Sequence, residues 1–98
     1  MWKGVGSCSG GHSIDISPAI MSTAYEFICL FGFSSYRVTI LIPNTFLDSE
    51  GAYYYGGASN GSDNLYAVAR ITNTSASFIR YSKGSNDYSS GIMYLYYR

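Results

Sequence analysis

Residues able to do nucleophilic or acid–base chemistry are few in this chain of 98 residues. The single histidine, His12, stands near Asp15, and serines are frequent enough to complete a Ser/His/Asp set by chance. No serine lies in the glycine pattern of a nucleophile elbow. We therefore interpret His12 as a solvent-facing residue ahead of a strand.

The carboxylates give little more support for catalysis. The chain has six of them: Asp15, Glu26, Asp48, Glu50, Asp63 and Asp87. Four resemble turn residues, whose side chains cap backbone N–H groups. Asp48 and Glu50 are the only close pair, and they stand in a loop, whereas glycoside hydrolysis needs two acids that converge. We expect no catalytic residues and no enzyme activity, with a carbohydrate-active enzyme as the third choice of function.

Metal and cofactor chemistry is not indicated. Cys8, Cys29 and one histidine cannot supply the four ligands of a zinc site. The Gly4-Val5-Gly6 segment lacks the following helix that a phosphate-binding loop requires. The sequence predicts no metal, no cofactor and two free thiols, with Cys29 in the core, while a disulfide between the two cysteines stays open.

Aromatic and small polar residues point to binding. Tyr53-Tyr54-Tyr55 runs into Gly56-Gly57, and neighbouring strand residues alternate, so at least one phenol faces each side of a sheet. Tyrosine with Ser, Gly and Asn forms adaptable recognition surfaces, and sugar C–H faces stack on such rings. The predicted ligand-binding set is Tyr53, Tyr55, Asn60, Asp63, Asn64, Asp87 and Tyr88. The alternative, that the tyrosine run is half core and half subunit contact, applies most to Tyr54.

Charge and hydropathy exclude two classes of partner. Six basic and six acidic residues give a net charge of zero, whereas a nucleic-acid binder needs a basic stripe to displace counterions. The longest apolar stretch, residues 24–33, contains Glu26 and is too short to cross a bilayer. We expect neither nucleic acid as a partner nor membrane insertion.

No secretory signal is expected. Glycine follows directly on Met1-Trp2-Lys3, where a signal needs an apolar run of about 7–15 residues. The chain is then a cytosolic product, a piece of a longer protein, or a protein exported by assembly.

Strands must position these residues, because helix-favouring residues are scarce and β-branched and aromatic residues dominate the apolar set. Period-two alternation between turn-forming clusters is the all-β signature. It predicts about eight short strands, at residues 2–5, 13–16, 24–33, 36–42, 52–55, 65–72, 76–81 and 92–97. They fit one domain over residues 1–98, an antiparallel two-sheet β-sandwich.

Some local expectations depend on strand phase. Strict alternation predicts that Phe78 faces the opposite side from Tyr81. Residues 17–20 are expected to form a single helical turn at most, and residues 83–90 a loop.

The final strand, 92–97, is apolar on both faces, so it must lie centrally in its sheet or be covered by another chain. Much aromatic surface and little charge indicate a homo-oligomer.

The order of four segments resembles a known family. They are Trp2-Lys3, residues 37–43 (RVTILIP), 53–57 (YYYGG) and 91–98 (GIMYLYYR). The chain resembles the terminal domains of tail-fibre and baseplate proteins of phages and prophages from gut bacteria, where an ILIP-like strand and a final YYR are common. The resemblance covers nearly the whole chain. One departure is that the domain follows Met1 directly, which favours a separate gene or an excised domain.

The resemblance implies a small, usually trimeric β-sandwich head at the distal end of a fibre, located in the virion tail or at an extracellular surface. Such a head contacts a host cell-surface glycan or another envelope component and brings no catalytic residues with it. The second choice is a purely structural trimerisation or surface module, whose aromatic residues all lie in interfaces.

Overall fold

Antiparallel strand pairing organises the fold. The computed structural model describes residues 1–45, 47–59 and 64–98, without the side chain of residue 58. Within these ranges there are nine strands and one helix. They are β1 (Lys3–Ser9), β2 (Ser13–Asp15), α1 (Pro18–Thr23), β3 (Glu26–Phe33), β4 (Tyr36–Pro43), β5 (Ala52–Ser59), β6 (Asn64–Ile71), β7 (Ser75–Lys83), β8 (Asn86–Asp87) and β9 (Ile92–Tyr97).

Two sheets share these strands. The first sheet has the order β1-β9-β3-β4, and the second has the order β2-β7-β6-β5, with β8 paired to β7. Every pairing is antiparallel. The prediction of an all-β, two-sheet antiparallel sandwich is confirmed.

The core lies between the sheets and is built by alternation. In β3 and β4 every second residue is buried, and in β6 the alternating residues Ala67, Ala69 and Ile71 enter the core. Phe31 of the first sheet meets Phe78 of the second, with ring centroids 5.0 Å apart and an edge-on arrangement. Tyr81 closes the same cluster at 5.6 Å from Phe31, so aromatic contacts hold the two layers together.

A bulge in β7 changes which residues enter this core. Ala69 of β6 lies opposite Phe78, and the residue before it, Val68, lies opposite Arg80. Ile79 therefore has no partner in β6 and is the extra residue of the bulge. Phe78 and Tyr81 are therefore both buried, while Ile79 is exposed. The prediction that Phe78 and Tyr81 face opposite sides is wrong, because the inserted residue shifts the phase of the strand.

The glycine pair 56–57 lies inside β5, and the predicted strand end there is wrong. A Cβ on Gly56 would lie 2.7 Å from Ile40 of the first sheet. A Cβ on Gly57 would overlap the Leu65 carbonyl oxygen of β6. Glycine at these positions allows close approach of neighbouring backbones, so the strand continues to Ser59.

Other boundaries also differ from the prediction. The first strand runs on to Ser9. The helical segment is longer than a single turn: Ser17 accepts a hydrogen bond from the Ile20 amide at 3.2 Å, and Pro18 occupies the first turn. The expected loop at residues 83–90 contains the short strand β8.

The last strand lies centrally, between β1 and β3. This arrangement satisfies its backbone groups on both sides, so pairing with another chain is not needed to protect it.

The same arrangement keeps the two cysteines apart. Cys8 in β1 pairs with Met93 of β9, and Cys29 in β3 pairs with Leu95 of β9. With one strand between them, their Cα atoms are at least roughly 9.5 Å apart, beyond the reach of a disulfide. Both are free thiols. Burial raises the pKa of the Cys29 thiol to about 12, and burial also raises that of Cys8.

We expect Gly57→Ala to destabilise the fold by about 1–3 kcal/mol, because the new methyl group overlaps the Leu65 carbonyl oxygen and the strands must separate. Chemical denaturation measures the change. Gly4→Ala is the matched control, since its Cβ meets only a Tyr96 ring carbon at 4.0 Å, and its stability should stay within about 0.5 kcal/mol of the parent. Equal losses in both variants would contradict the close approach.

Alkaline pH should destabilise the fold through Cys29. Its folded pKa lies near 12, above the ordinary value of 9.0, so its contribution is complete below pH 9 and is lost as the pH rises toward 12. At pH 10 the loss is on the order of 1 kcal/mol relative to pH 7. The free energy of unfolding of Cys29→Ala, measured from pH 7 to 10.5, should fall less steeply by this amount. Parallel curves for parent and variant would refute the assignment.

Candidate functional site

The outer face of the second sheet concentrates tyrosine and arginine. By register, Tyr53 lies opposite Arg70, and Tyr55 lies opposite Val68, which in turn lies opposite Arg80. Tyr66 of β6 occupies the next position on the same face. We call the set Tyr53, Tyr55, Tyr66, Arg70 and Arg80 the tyrosine–arginine face.

The tyrosine run alternates as the sequence predicts. Tyr53 is 56% exposed and Tyr55 71% exposed, and both point away from the core. Tyr54 is half-buried and packs against the core. In the described structure the run therefore contributes one ring to the interior and two to the surface.

Each arginine of this face stands over a tyrosine ring. The Arg70 guanidinium carbon lies 5.9 Å from the Tyr53 ring centroid, and Arg70 also donates a hydrogen bond to the Glu50 carbonyl. The Arg80 guanidinium carbon lies 5.4 Å from the Tyr66 ring centroid. Such contacts contribute about 0.5–1 kcal/mol at exposed sites and orient the rings.

An open groove runs between two of these rings. It has a volume of about 460 Å³ and is lined by Tyr55, Gly56, Gly57, Ser59, Asn64, Leu65 and Tyr66. Gly57 lies directly opposite Tyr66 and has no side chain, so the space between the tyrosines stays open. We call this site the tyrosine groove. The Asn64 carbonyl accepts the Gly84 amide at 2.8 Å, which ties the groove to the β7–β8 turn.

A second depression, the polar cleft, lies beside the groove on the β7–β8 side. Its volume is about 270 Å³, and its lining residues are Gly10, Gly11, Ile79, Arg80, Ser82, Gly84, Ser85, Asn86, Asp87 and Ser89. The register places Tyr66, Ser82 and Asp87 in one row across three strands. The stacked side chains of Tyr66, which lines the groove, and Arg80, which lines the cleft, therefore lie between the two depressions.

The predicted binding residues fall in several places. Tyr55 and Asn64 line the tyrosine groove, and Asp87 lines the polar cleft, where one carboxylate oxygen accepts the Ser89 amide at 2.8 Å. Tyr53 lies on the same face, next to Arg70. Asn60 and Asp63 lie outside the described residues.

Tyr88 occupies a different environment. Its ring is half-buried and stacks on Phe33, with centroids 4.4 Å apart, and on Tyr36 at 5.9 Å. These contacts join the β3–β4 hairpin of the first sheet to the segment after β8. In this position Tyr88 packs the end of the sandwich.

The predicted set omitted Tyr66, Arg70, Arg80 and Ser82. The alternation of Leu65, Ala67, Ala69 and Ile71 identifies the buried face of β6, so Tyr66 and Arg70 could have been assigned to its outer face. Arg80 and Ser82 could not have been assigned to the outer face, because the bulge at Ile79 reverses the alternation of the residues that follow it.

Of the residues with catalytic potential, His12, Asp48 and Glu26 are not among those that line the tyrosine groove or the polar cleft. His12 is exposed just before β2, as predicted, with its Nδ1 atom 3.1 Å from the Gly10 carbonyl oxygen. One oxygen of Asp48 accepts the Gly51 amide at 2.8 Å, as a turn residue does. Glu26 forms an ion pair with Arg98 at 2.6 Å. Within the described ranges, no three His, Cys, Asp or Glu side chains gather as a metal site would require.

The outer face of the first sheet is apolar over β3 and β9, with Thr39 beside Leu30 on one side and Ser7 beside Tyr94 on the other. Ile28 lies between Leu41 and Tyr96, and Leu30 lies beside Tyr94. Leu41 is 53% exposed and Tyr94 44% exposed. Charged residues stand only at the ends of this described surface, with Arg37 at one end and the Glu26–Arg98 pair at the other. We call these five residues, Ile28, Leu30, Leu41, Tyr94 and Tyr96, the apolar face.

Among the described residues no helix is long and apolar enough to cross a membrane.

Comparison with models of protein families, with curated proteins and with solved structures finds no match to this chain. The fold and its surfaces define an antiparallel β-sandwich with an aromatic, cationic face on one sheet and an apolar face on the other.

Proposed function

We propose that the chain is a non-enzymatic recognition domain that binds carbohydrate in the tyrosine groove. We further propose that it serves as the tip of a phage or prophage tail protein, in the virion or at an extracellular surface, with a bacterial surface glycan or another envelope component as its ligand. The observation that carries the proposal is the pair of tyrosine rings bordering the open space above Gly57. The resemblance of the terminal strands to tail-fibre domains supports the biological setting.

The groove suits a sugar for physical reasons. Its volume of about 460 Å³ lies within the roughly 300–1,000 Å³ of ligand sites. Tyr55 and Tyr66 offer rings for the C–H faces of a pyranose, at low cost in conformational entropy. Ser59 and Asn64 place polar groups at the same site, where sugar hydroxyls need hydrogen-bond partners.

Removing the rings should weaken binding without changing the fold. We expect Tyr55→Ala and Tyr66→Ala each to lower affinity for bacterial surface polysaccharide by about tenfold, since each removes one stacking surface. Binding is measured on an array of purified polysaccharides and on intact cells. Tyr25→Ala is the matched control, because this tyrosine is 81% exposed and lies outside the groove. Unchanged binding in both groove variants, or equal losses in the control, would contradict the proposal.

A structural assembly module is the second candidate, and the apolar face favours it. Exposed leucine and tyrosine on a sheet face with charges only at its ends form a surface suited to contact with another protein. We propose a homotrimer in which this face is covered by neighbouring copies. If assembly were the only role, the groove tyrosines would also lie in interfaces, and their replacement would change the mass of the assembly.

Leu41→Lys should disrupt the assembly, because it places a charge on the apolar face, directly beside Ile28. Sedimentation equilibrium should give three times the 10.7 kDa chain mass for the parent and the single-chain mass for the variant. Ile79→Lys, an exposed apolar residue of the second sheet, is the matched control and should leave the mass unchanged. A parent protein that sediments as a monomer would rule out the trimer.

A further inference from the structure

Arg80 is a cation with unused hydrogen-bonding capacity. Its guanidinium stands over the Tyr66 ring, and the part of the chain that the structure describes gives it no hydrogen bond or ion pair. An arginine carries five N–H donors in a planar fork that matches a carboxylate. Its side chain lines the polar cleft, so these donors are available to a molecule bound there.

Ser82 adds a second unsatisfied group to the same cleft. The residue is only 3% exposed, and its hydroxyl finds no hydrogen-bond partner among the described residues. A buried hydroxyl without a partner costs free energy. Ser82 lies two residues from Arg80 on the same side of β7 and lines the cleft with it. The Ser82 Oγ atom is covered in this structure, so a ligand oxygen beside Arg80 becomes its partner when the side chain rotates toward the cleft that the residue lines.

Asp87 limits what kind of anion fits. It lies opposite Ser82 in the β7–β8 pair, and one of its oxygens already accepts the Ser89 amide. A carboxylate this close repels a small, highly charged anion such as phosphate. It can instead accept a hydrogen bond from a hydroxyl, and Asn86 in the same lining offers both a donor and an acceptor. The cleft therefore matches a ligand that carries one anionic group and several hydroxyls.

We propose that the polar cleft is a subsite for an acidic sugar residue of the uronic-acid class. The sugar carboxylate binds Arg80 and Ser82, and a ring hydroxyl donates to Asp87. The subsite rests on the proposed function, since Tyr66 separates it from the tyrosine groove and one glycan chain would cross that ring. The preference for an acidic glycan is then set by Arg80 rather than by the groove.

A matched pair of ligands tests the subsite directly. The probes are an oligosaccharide containing glucuronic acid and the same oligosaccharide after its carboxyl groups have been reduced to give glucose. Both are titrated into the ¹⁵N-labelled full chain and followed by backbone amide shifts. The acidic form should bind about tenfold or more tightly, because a charge-assisted contact is added, and raised salt should reduce the difference.

Two arginine variants distinguish binding of the sugar carboxylate at the subsite from nonspecific attraction of an acidic glycan to the positive charge of this face. Arg80→Gln should make the two affinities equal. Arg70→Gln is the matched control, because Arg70 lies on the same face but donates to the Glu50 carbonyl and lines neither depression, so the preference should survive. Equal binding of both probes by the parent, or a preference that survives Arg80→Gln, would overturn the subsite.

The amide shifts also distinguish failure of the subsite from failure of the proposed function. Shifts at Ser59 and Asn64 with equal affinity for both probes would leave the groove standing and remove the subsite. Shifts confined to Asn86 and Ser89 that depend on Arg80 would support the subsite and contradict the groove. Binding of neither probe would contradict both.

Discussion

The extra residue in β7 is the constraint on which the remaining structure depends. With Ile79 inserted, Phe78 and Tyr81 both enter the core, where their rings meet Phe31 of the opposite sheet. The same shift turns Arg80 and Ser82 to the outer face beside Tyr66. Without the bulge, either the aromatic core would lose a ring or Arg80 would point between the sheets, where an unpaired charge is very costly. One irregularity thus serves both the core and the polar cleft.

Glycine has a comparable role in β5. Gly56 allows Ile40 of the first sheet to approach, and Gly57 allows the Leu65 backbone to approach. Because Gly57 lacks a side chain, the outer face keeps an opening between Tyr55 and Tyr66. A strand-favouring residue at Gly57 would place its Cβ against the Leu65 carbonyl oxygen and so separate β5 from β6 at the groove. The packing of β5 and the proposed binding site therefore depend on the same residue.

Alternation allowed much of the fold to be predicted, because an apolar residue recurs at every second position along the inner face of β4 and β6. It also placed rings of the tyrosine run on both sides of the sheet, and Tyr55 and Asn64 do meet in one groove. It failed at Ile79, since a bulge is set by the partner strand, and at Gly56, whose role depends on contact with Ile40. The position of Tyr88 was beyond prediction, because its ring packs against Phe33 and Tyr36, more than fifty residues away in the sequence.

The two faces of the sandwich divide the proposed roles, with recognition on the second sheet and assembly on the first. The most direct test of recognition is a structure of the protein with a bound fragment of bacterial surface polysaccharide. The account predicts a sugar ring lying against Tyr55 and Tyr66 above Gly57. A fragment bound on the apolar face of the first sheet, with the groove unchanged, would contradict it.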